Sequence, residues 1–435
     1  MSVGVRVLEA SGELPQFRLV LLHDSEGKVI ALLPATSLLN LVSIWKETGR
    51  QLQPVRGDDA LRYFSQEALK YPEGQAKLLS LKLLVAPECA NFEQMELIEP
   101  HSGLSFSIVA EQLREGTVCN FSRTAEEIVA QQPAGDDVAQ ITRAVERFTA
   151  LRVKQRLEDT LGLPSLSATM QKIIELRSDP EAGVSDLVPV VRLDPSLSAQ
   201  VMSWAASPYY AAPGDVSSID DAVIRVLGFD LVINMALGTA MGEMLKVPED
   251  GPRGATPYWL QAVYNASFAE QLCRAMPETE DSPRPGLVYL ASLLHNFGYL
   301  VLAHLFPPHF IMLSRYFEAN PHFAFDTVEK QVLGVTREQI GSWLLDSWSL
   351  PKTVTTAIRH QNEADYQGEH SQYVKILYMA NRLLRQQGLS DGPLEEVHEE
   401  MYAELGLKEP DVAKMLRRLM RNDDDIKELT ALLGD

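Results

Sequence analysis

Residues 287–306 read LVYLASLLHNFGYLVLAHLF, a run without Asp, Glu, Lys or Arg. A stretch of that length can cross a bilayer, so its reading decides between a membrane protein and a buried helical core. His295, Asn296 and His304 interrupt the run, and polar groups are costly in lipid. Its flanks also lack the basic residues that anchor a span. The expectation is a helix buried in the core of a protein that does not enter a membrane. At the centre, Leu293-Leu294-His295-Asn296-Phe297-Gly298 sets an imidazole beside a neutral amide. A carboxylate at position 296 would complete a metal-binding pair, and Asn296 removes the charge that such a pair needs.

Outward from this run, the chain has 435 residues, long enough for two or three domains of roughly 100–200 residues each. Its 59 acidic residues outnumber 39 basic ones, for a formal charge of −20, and no long block of Lys or Arg occurs. Neutralising phosphates requires the opposite balance, which speaks against DNA and against tRNA as partners. Cys89, Cys119 and Cys273 are widely spaced and form no CxxC pair, so neither a disulfide framework nor a zinc finger is expected, and a reducing cytoplasm fits. Met1 to Glu9 has no basic region followed by an apolar stretch, which does not predict a secretory signal. The phosphate loop GxxxxGK[ST], the nucleophile elbow GxSxG and the zinc motif HExxH are absent from the sequence.

The first part of the chain mixes periods. Phe17 to Leu22 and Lys28 to Leu33 flank the turn-like stretch His23-Asp24-Ser25-Glu26-Gly27 and predict a strand hairpin closed by Pro34. Leu38 to Thr48 and Asp58 to Lys70 have helical spacing, while Ser80 to Val85 and Phe92 to Ile98 predict further strands, which together give an α/β pattern. Ser122 to Gln140 has the composition of a linker. Beyond Ala139 the spacing is helical throughout. Asp194-Pro195 predicts an N-cap with Pro at the first helical position. Ser218-Ile219-Asp220-Asp221 predicts a second cap, and Gly228 a stop. The acidic Asn422-Asp423-Asp424-Asp425 is expected as solvated charge. The fold class that follows is α+β multidomain, an α/β domain followed by an all-α bundle.

Five stretches taken in order resemble the HDOD domain, a relative of the HD phosphohydrolases: Leu163-Pro164-Ser165-Leu166, Asp194-Pro195-Ser196-Leu197, Ala206-Ser207-Pro208-Tyr209-Tyr210, Val216-Ser217-Ser218-Ile219-Asp220-Asp221-Ala222 and Val226-Leu227-Gly228. The resemblance implies an all-helical signalling module, usually without demonstrated catalysis. Laid onto the HD pattern, Gln261 stands in the slot of the first His and His295-Asn296 at the namesake pair. Arg337 stands where related sequences often have His, His360-Gln361 retains one His of a commonly doubled pair, and Asn381 replaces the last Asp. Amides at Gln261, Asn296 and Asn381 are weak neutral ligands, and with Arg337 nearby the set is expected to repel a metal ion. No metal, cofactor or catalytic residue is expected here.

In the first half, Val29-Ile30-Ala31-Leu32-Leu33-Pro34-Ala35, Leu39 to Leu52 and Leu84 to Gln112 resemble the YbaK/prolyl-tRNA-synthetase-associated domain, which includes aminoacyl-tRNA deacylases. Those enzymes depend on a Lys near the first strand and on a Gly-rich loop. Here the strand reads Gln16-Phe17-Arg18-Leu19, the nearest Lys is Lys28, and Tyr71-Pro72-Glu73-Gly74-Gln75 stands where the loop should be. The division implied is a YbaK-like domain at 1–121, a linker and connecting helix at 122–158, the HDOD domain at 159–390, and a helical extension at 391–435.

The expected function is that of a non-catalytic cytoplasmic regulator. Its helical half binds a protein partner, and its α/β half senses a ligand or supplies a second contact. Three other activities frame that expectation: metal-dependent phosphoester hydrolysis using His295 and His360, aminoacyl-tRNA deacylation by the first domain, and a nucleotide held by Arg337 and Arg359.

Overall fold

The computed structural model describes residues 14–149, apart from 56–57, 65–70, 91, 93, 100–103, 110–115 and 133, and residues 167–431, apart from 180, 208–209, 211–215, 246–248, 250 and 280–281. The stretches Met1 to Glu9, Leu163 to Leu166 and Pro208-Tyr209, and parts of Asp58 to Lys70 and Leu84 to Gln112, lie outside the described residues.

The hairpin forms as its two apolar runs and turn predict, and both faces of its strands are buried where one was expected. Strand β1 (Gln16–Asp24) pairs antiparallel with β2 (Gly27–Pro34), with Leu22 opposite Val29 and Leu19 opposite Leu32. These two strands are buried along most of their length and occupy the middle of a mixed sheet. On one side β1 pairs parallel with β6 (Gln94–Glu99), which pairs antiparallel with β7 (Leu104–Val109). On the other, β2 pairs parallel with β5 (Lys82–Val85), which pairs parallel with β8 (Thr117–Val118). The short β4 (Gln53–Pro54) adds to the end of β1. The helical reading of Leu38 to Thr48 holds from Leu41; Leu38–Leu39 is instead a two-residue strand, β3, paired with β9 (Ser122–Arg123), because Asn40 caps the helix Leu41–Thr48 by accepting from the Ser43 amide.

Among the described residues beyond Ala139, every regular element is helical. Asp194 caps the helix Pro195–Ala206 through its bond from the Leu197 amide, and Ser218 accepts from the Asp221 amide. Residues Ala222–Leu227 then widen into a π-helical turn that ends at Gly228, whose φ of 79° lies in the region a side chain disfavours. The apolar run of 287–306 is not one helix. It divides into Pro285–Leu293 and Phe297–Leu305, with a break at Leu294, His295 and Asn296. Within Pro285–Leu305, 89% of the most apolar 18-residue window is buried inside the protein, so its apolar surface meets protein.

The stretch with linker composition is ordered. Helices Ala125–Ala130 and Asp137–Thr149 occupy it, and Ile128, Ile141, Ala144 and Val145 join the helical core. Asp137 accepts from Arg359 Nε and Nη2 and from Gln339 Nε2, which fastens the segment to the bundle. A handful of apolar residues at helical spacing suffices to dock a polar helix. The acidic segment near the C-terminus also has a partner: the Tyr264 hydroxyl donates to Asp423.

The two halves meet through buried polar contacts centred on Arg18, which is 1% exposed. Its guanidinium donates to Ser37 O at 3.2 Å, to Ala319 O at 2.8 Å and to Asn320 Oδ1 at 2.6 Å. Asn320 Oδ1 also accepts from the Leu39 amide, and the Tyr316 hydroxyl donates to Asn40 Oδ1. Burial pushes the Arg18 guanidinium down to about 9, with Glu99 opposing the shift. Arg18→Met should destabilise the protein by about 2–4 kcal/mol, since it leaves buried acceptors without their charged donor. Urea unfolding measures this, and a change below about 1 kcal/mol would show that the junction does not depend on Arg18.

Candidate functional site

The site is built where two helices touch backbone to backbone. Thr336 caps the helix Arg337–Ser347 by accepting from the Gln339 amide, while Gln339 Oε1 accepts from the Thr336 amide. The start of this helix crosses the helix Phe297–Leu305 at Gly298 and Gly341. A Cβ on Gly298 would lie 1.9 Å from the Arg337 carbonyl oxygen, and one on Gly341 would lie 2.8 Å from the Gly298 nitrogen. This crossing sets Arg337 beside the His295–Asn296 break. Gly298→Ala is expected to cost about 3 kcal/mol or more, because backbone and not a flexible side chain must move. Thermal unfolding of the variant checks it.

A cavity of about 390 Å³ opens at this crossing. Of the residues singled out in the sequence, Gln261, His295, Asn296, Arg337, Gln361 and Asn381 line it. His360 does not: its ring stacks on Tyr366 with centroids 4.3 Å apart, and Glu363 Oε1 lies 3.0 Å from its Nδ1. Arg359 also points away, committed to Asp137, so the expectation that it meets a nucleotide phosphate in this cavity is corrected.

Side-chain amides run through the floor of the cavity. Asn265 Nδ2 donates to Asn381 Oδ1, Asn381 Nδ2 donates to Gln361 Oε1 at 3.0 Å, and Gln361 Nε2 donates to the His295 carbonyl at 2.8 Å. On another wall Gln261 Nε2 donates to Asp391 Oδ2 and to Thr256 O, both at 2.8 Å. Asp391 Oδ1 accepts from the Thr256 amide and hydroxyl, each at 3.0 Å. Burial raises the Asp391 carboxyl, and these hydrogen bonds oppose the rise.

Arg337 is buried and faces Glu329, with Nε 2.5 Å from Oε1 and its own amide donating to Oε2 at 2.9 Å. Burial pushes the Glu329 carboxyl up, and the Arg337 charge holds it back. The guanidinium also lies over the rings of Tyr299, Phe317 and Phe325, 4.9–5.3 Å from their centroids. Its attraction to those π-faces helps to hold it in place.

His295 Nδ1 lies 2.7 Å from the Ser292 carbonyl oxygen, which requires the proton on Nδ1 and leaves Nε2 as an acceptor. Burial lowers its pKa to about 4; the Ser292 bond opposes that shift, and Arg385 and Arg337 reinforce it. The imidazole therefore stays neutral in the folded protein while an unfolded His titrates near 6.5. Between those values the unfolded chain binds the extra proton, so stability falls as pH drops from about 6.5 to 4, by up to about 3 kcal/mol from this residue. Above pH 6.5 the contribution is flat. Comparing the pH dependence of urea unfolding in the parent chain and in His295→Asn checks this, since the variant should lack that part of the decline.

Sequence reasoning missed the carboxylates. Glu338, Asp391 and Glu395 all line the cavity, contrary to the expectation of a site without negative charge. Asp391 and Glu395 lie in a loop beyond the matched motifs, and no local signal announces them. Each is engaged, Asp391 as above, Glu395 by Arg382 Nε at 2.8 Å, and Glu338 by Asn362 Nδ2 at 3.0 Å. Among the described residues no three His, Cys, Asp or Glu side chains converge to hold a metal ion. Amides, a lone imidazole and guanidinium groups are a poor donor set for a divalent ion, and the residues do not fit one.

In the first half, the strand Gln16 to Leu19, compared above with the deacylase strand, carries Arg18, whose guanidinium is spent on the junction between the halves. Lys28 lies over the Tyr63 ring, its Nζ 5.1 Å from the centroid. The segment read as a substrate loop is helical, because Pro72 opens the helix Pro72–Leu79 directly after Tyr71.

Comparison with known proteins places the helical half. Residues 163–364 match the HDOD domain. A protein of Marinobacter aquaeolei VT8 ascribed to signal transduction is 38% identical, with a TM-score of 0.87 over 98% of this chain and 95% of that one. An HDOD domain protein of unknown function from Geobacter sulfurreducens shares the fold at 21% identity and a TM-score of 0.54, covering 68% of this chain and 99% of its own. An uncharacterised protein of Treponema pallidum (strain Nichols) is 28% identical over 239 residues, 54% of this chain and 44% of its own length. The chain thus spans less than half of that relative.

Proposed function

We propose, for a chain that belongs to the HDOD family, a non-catalytic regulator of bacterial signalling that acts by binding another protein. The donor set of the cavity carries this reading. Where an HD phosphohydrolase needs imidazoles and carboxylates around an ion, this chain has Gln261, Asn296 and Asn381, with the Arg337 guanidinium among them. An ion placed there would meet a fixed positive charge before it met an unengaged carboxylate. The Marinobacter protein, related along nearly the whole chain, is ascribed to signal transduction, which supports the same role here. Leu193 and Ile224 are exposed on neighbouring helices, and large apolar side chains in such positions suit protein contacts.

In this reading the first domain is a YbaK-like module that has kept a fold and given its central strand cation to the interdomain junction. It works as a sensing or contact element, and the polar junction around Arg18 transmits its state to the bundle. The organisation suits a cytoplasmic protein.

The chain purified after exposure to Mn, Fe, Ni and Zn should retain far less than one ion, and His295→Ala should leave that value unchanged. Phosphoester hydrolysis and aminoacyl-tRNA deacylation should both stay at the background of a buffer control. A stoichiometric ion lost on His295→Ala, together with turnover, would replace the regulatory reading with a phosphohydrolase.

A further inference from the structure

Four polar atoms on residues lining the cavity have no hydrogen-bond partner: Arg337 Nη2, Arg385 Nε, Tyr258 Oη and His295 Nε2. Arg337 is 4%, Tyr258 7% and His295 2% exposed, and the Arg385 side chain 11%. Buried polar atoms are nearly always satisfied, so four exceptions on one cavity need a cause. The charge of Arg337 acts on Tyr258, His295 and Arg385, which places the four in one electrostatic neighbourhood.

Their capacities are complementary. The two guanidinium nitrogens only donate, and the Tyr258 hydroxyl can donate or accept. His295 has committed its Nδ1 proton to Ser292, so Nε2 only accepts. A molecule satisfying all four presents acceptor atoms to Arg337, Arg385 and Tyr258 and one donor to His295. Its charge is limited by the surroundings. Glu329 partly neutralises Arg337, while Glu338, Asp391 and Glu395 add negative charge to the walls. A dianion would be repelled by those carboxylates, whereas a single negative charge is balanced by the guanidinium groups of Arg337 and Arg385. A volume of about 390 Å³ suits a small metabolite.

We propose that this cavity binds a small organic monoanion that carries its own hydrogen-bond donor, a hydroxy-acid or amino-acid carboxylate. The two carboxylate oxygens accept from Arg337 Nη2, Arg385 Nε and the Tyr258 hydroxyl, and the ligand O–H or N–H donates to His295 Nε2. The site lies in the helical half, and its occupancy does not depend on whether that half also binds a protein.

Titration calorimetry on the full chain, with glycerate, serine, propionate, glycerol and glycerol 3-phosphate as probes, tests this. Glycerate or serine should bind. Propionate, which lacks the donor, should bind about tenfold more weakly, and glycerol, which lacks the charge, should give no heat. Tyr258→Phe removes only an unpartnered hydroxyl, so its Tm should equal or exceed that of the parent while affinity falls about tenfold. The proposal is overturned if neither glycerate nor serine binds, if glycerol 3-phosphate binds most tightly, or if Tyr258→Phe binds as well as the parent. None of these outcomes bears on the metal and hydrolysis assays, so the ligand and the regulatory role fail separately.

Discussion

The absence of a side chain at Gly298 holds the site together, since a Cβ there would lie 1.9 Å from the Arg337 carbonyl oxygen. Backbone contact between two helices is possible only where both lack a Cβ in the contact, and Gly341 supplies the second such position. Interiors are close-packed, so a shift of this crossing would be felt by everything resting on it. Arg337 starts one of the two helices and His295–Asn296 precedes the other. Their juxtaposition, and the cavity that lies between them, follows from that one contact. The break in the apolar run has the same origin. A continuous helix through 287–306 would carry Phe297 and Gly298 along a different axis, away from the glycine of the partner helix.

From the crossing, polar contacts run outward to the rest of the molecule. Gln339, three residues into the helix, caps its own N-terminus and donates to Asp137 and Gln140 of the segment that joins the halves. Arg253 lines the cavity, donates to Glu318 through its amide and Nε, and reaches Pro54 O of the sheet domain at 2.8 Å. Glu318 is followed directly by Ala319 and Asn320, the acceptors of Arg18. One wall of the cavity is therefore in hydrogen-bonded contact with the sheet domain. A ligand or partner that moved Arg253 would have to break or remake bonds at the junction, which gives the two halves a physical route for coupling.

What could be read from the sequence depended on whether the signal was local. The hairpin of β1 and β2 was legible because two apolar runs and a turn occupy one short stretch, and the caps at Asp194 and Ser218 were legible for the same reason. The candidate positions Gln261, His295, Asn296, Arg337, Gln361 and Asn381 came from family pattern, and the fold gathers them around one cavity. His360 was misplaced because its helix turns it to Tyr366, a tertiary fact that spacing does not encode. Arg359 was misassigned for a similar reason, since its partner Asp137 is distant in sequence. Asp391 and Glu395 carry no motif. They matter because a loop returns them to Gln261 and Arg382, and only the folded chain shows that return.

Amides rather than carboxylates at Gln361 and Asn381 have an energetic consequence for the cavity. A carboxylate pair without its ion would leave like charges buried together, at a cost that the protein would have to offset elsewhere. Asn265, Asn381 and Gln361 hydrogen-bond to one another and to backbone with no counter-charge at all. They leave that part of the site neutral, although Asn265 Oδ1 itself has no hydrogen-bond partner. The neighbouring charges are paired, Arg337 with Glu329 and Arg382 with Glu395. A neutral floor under paired charges suits an interior that must stay folded whether or not anything is bound.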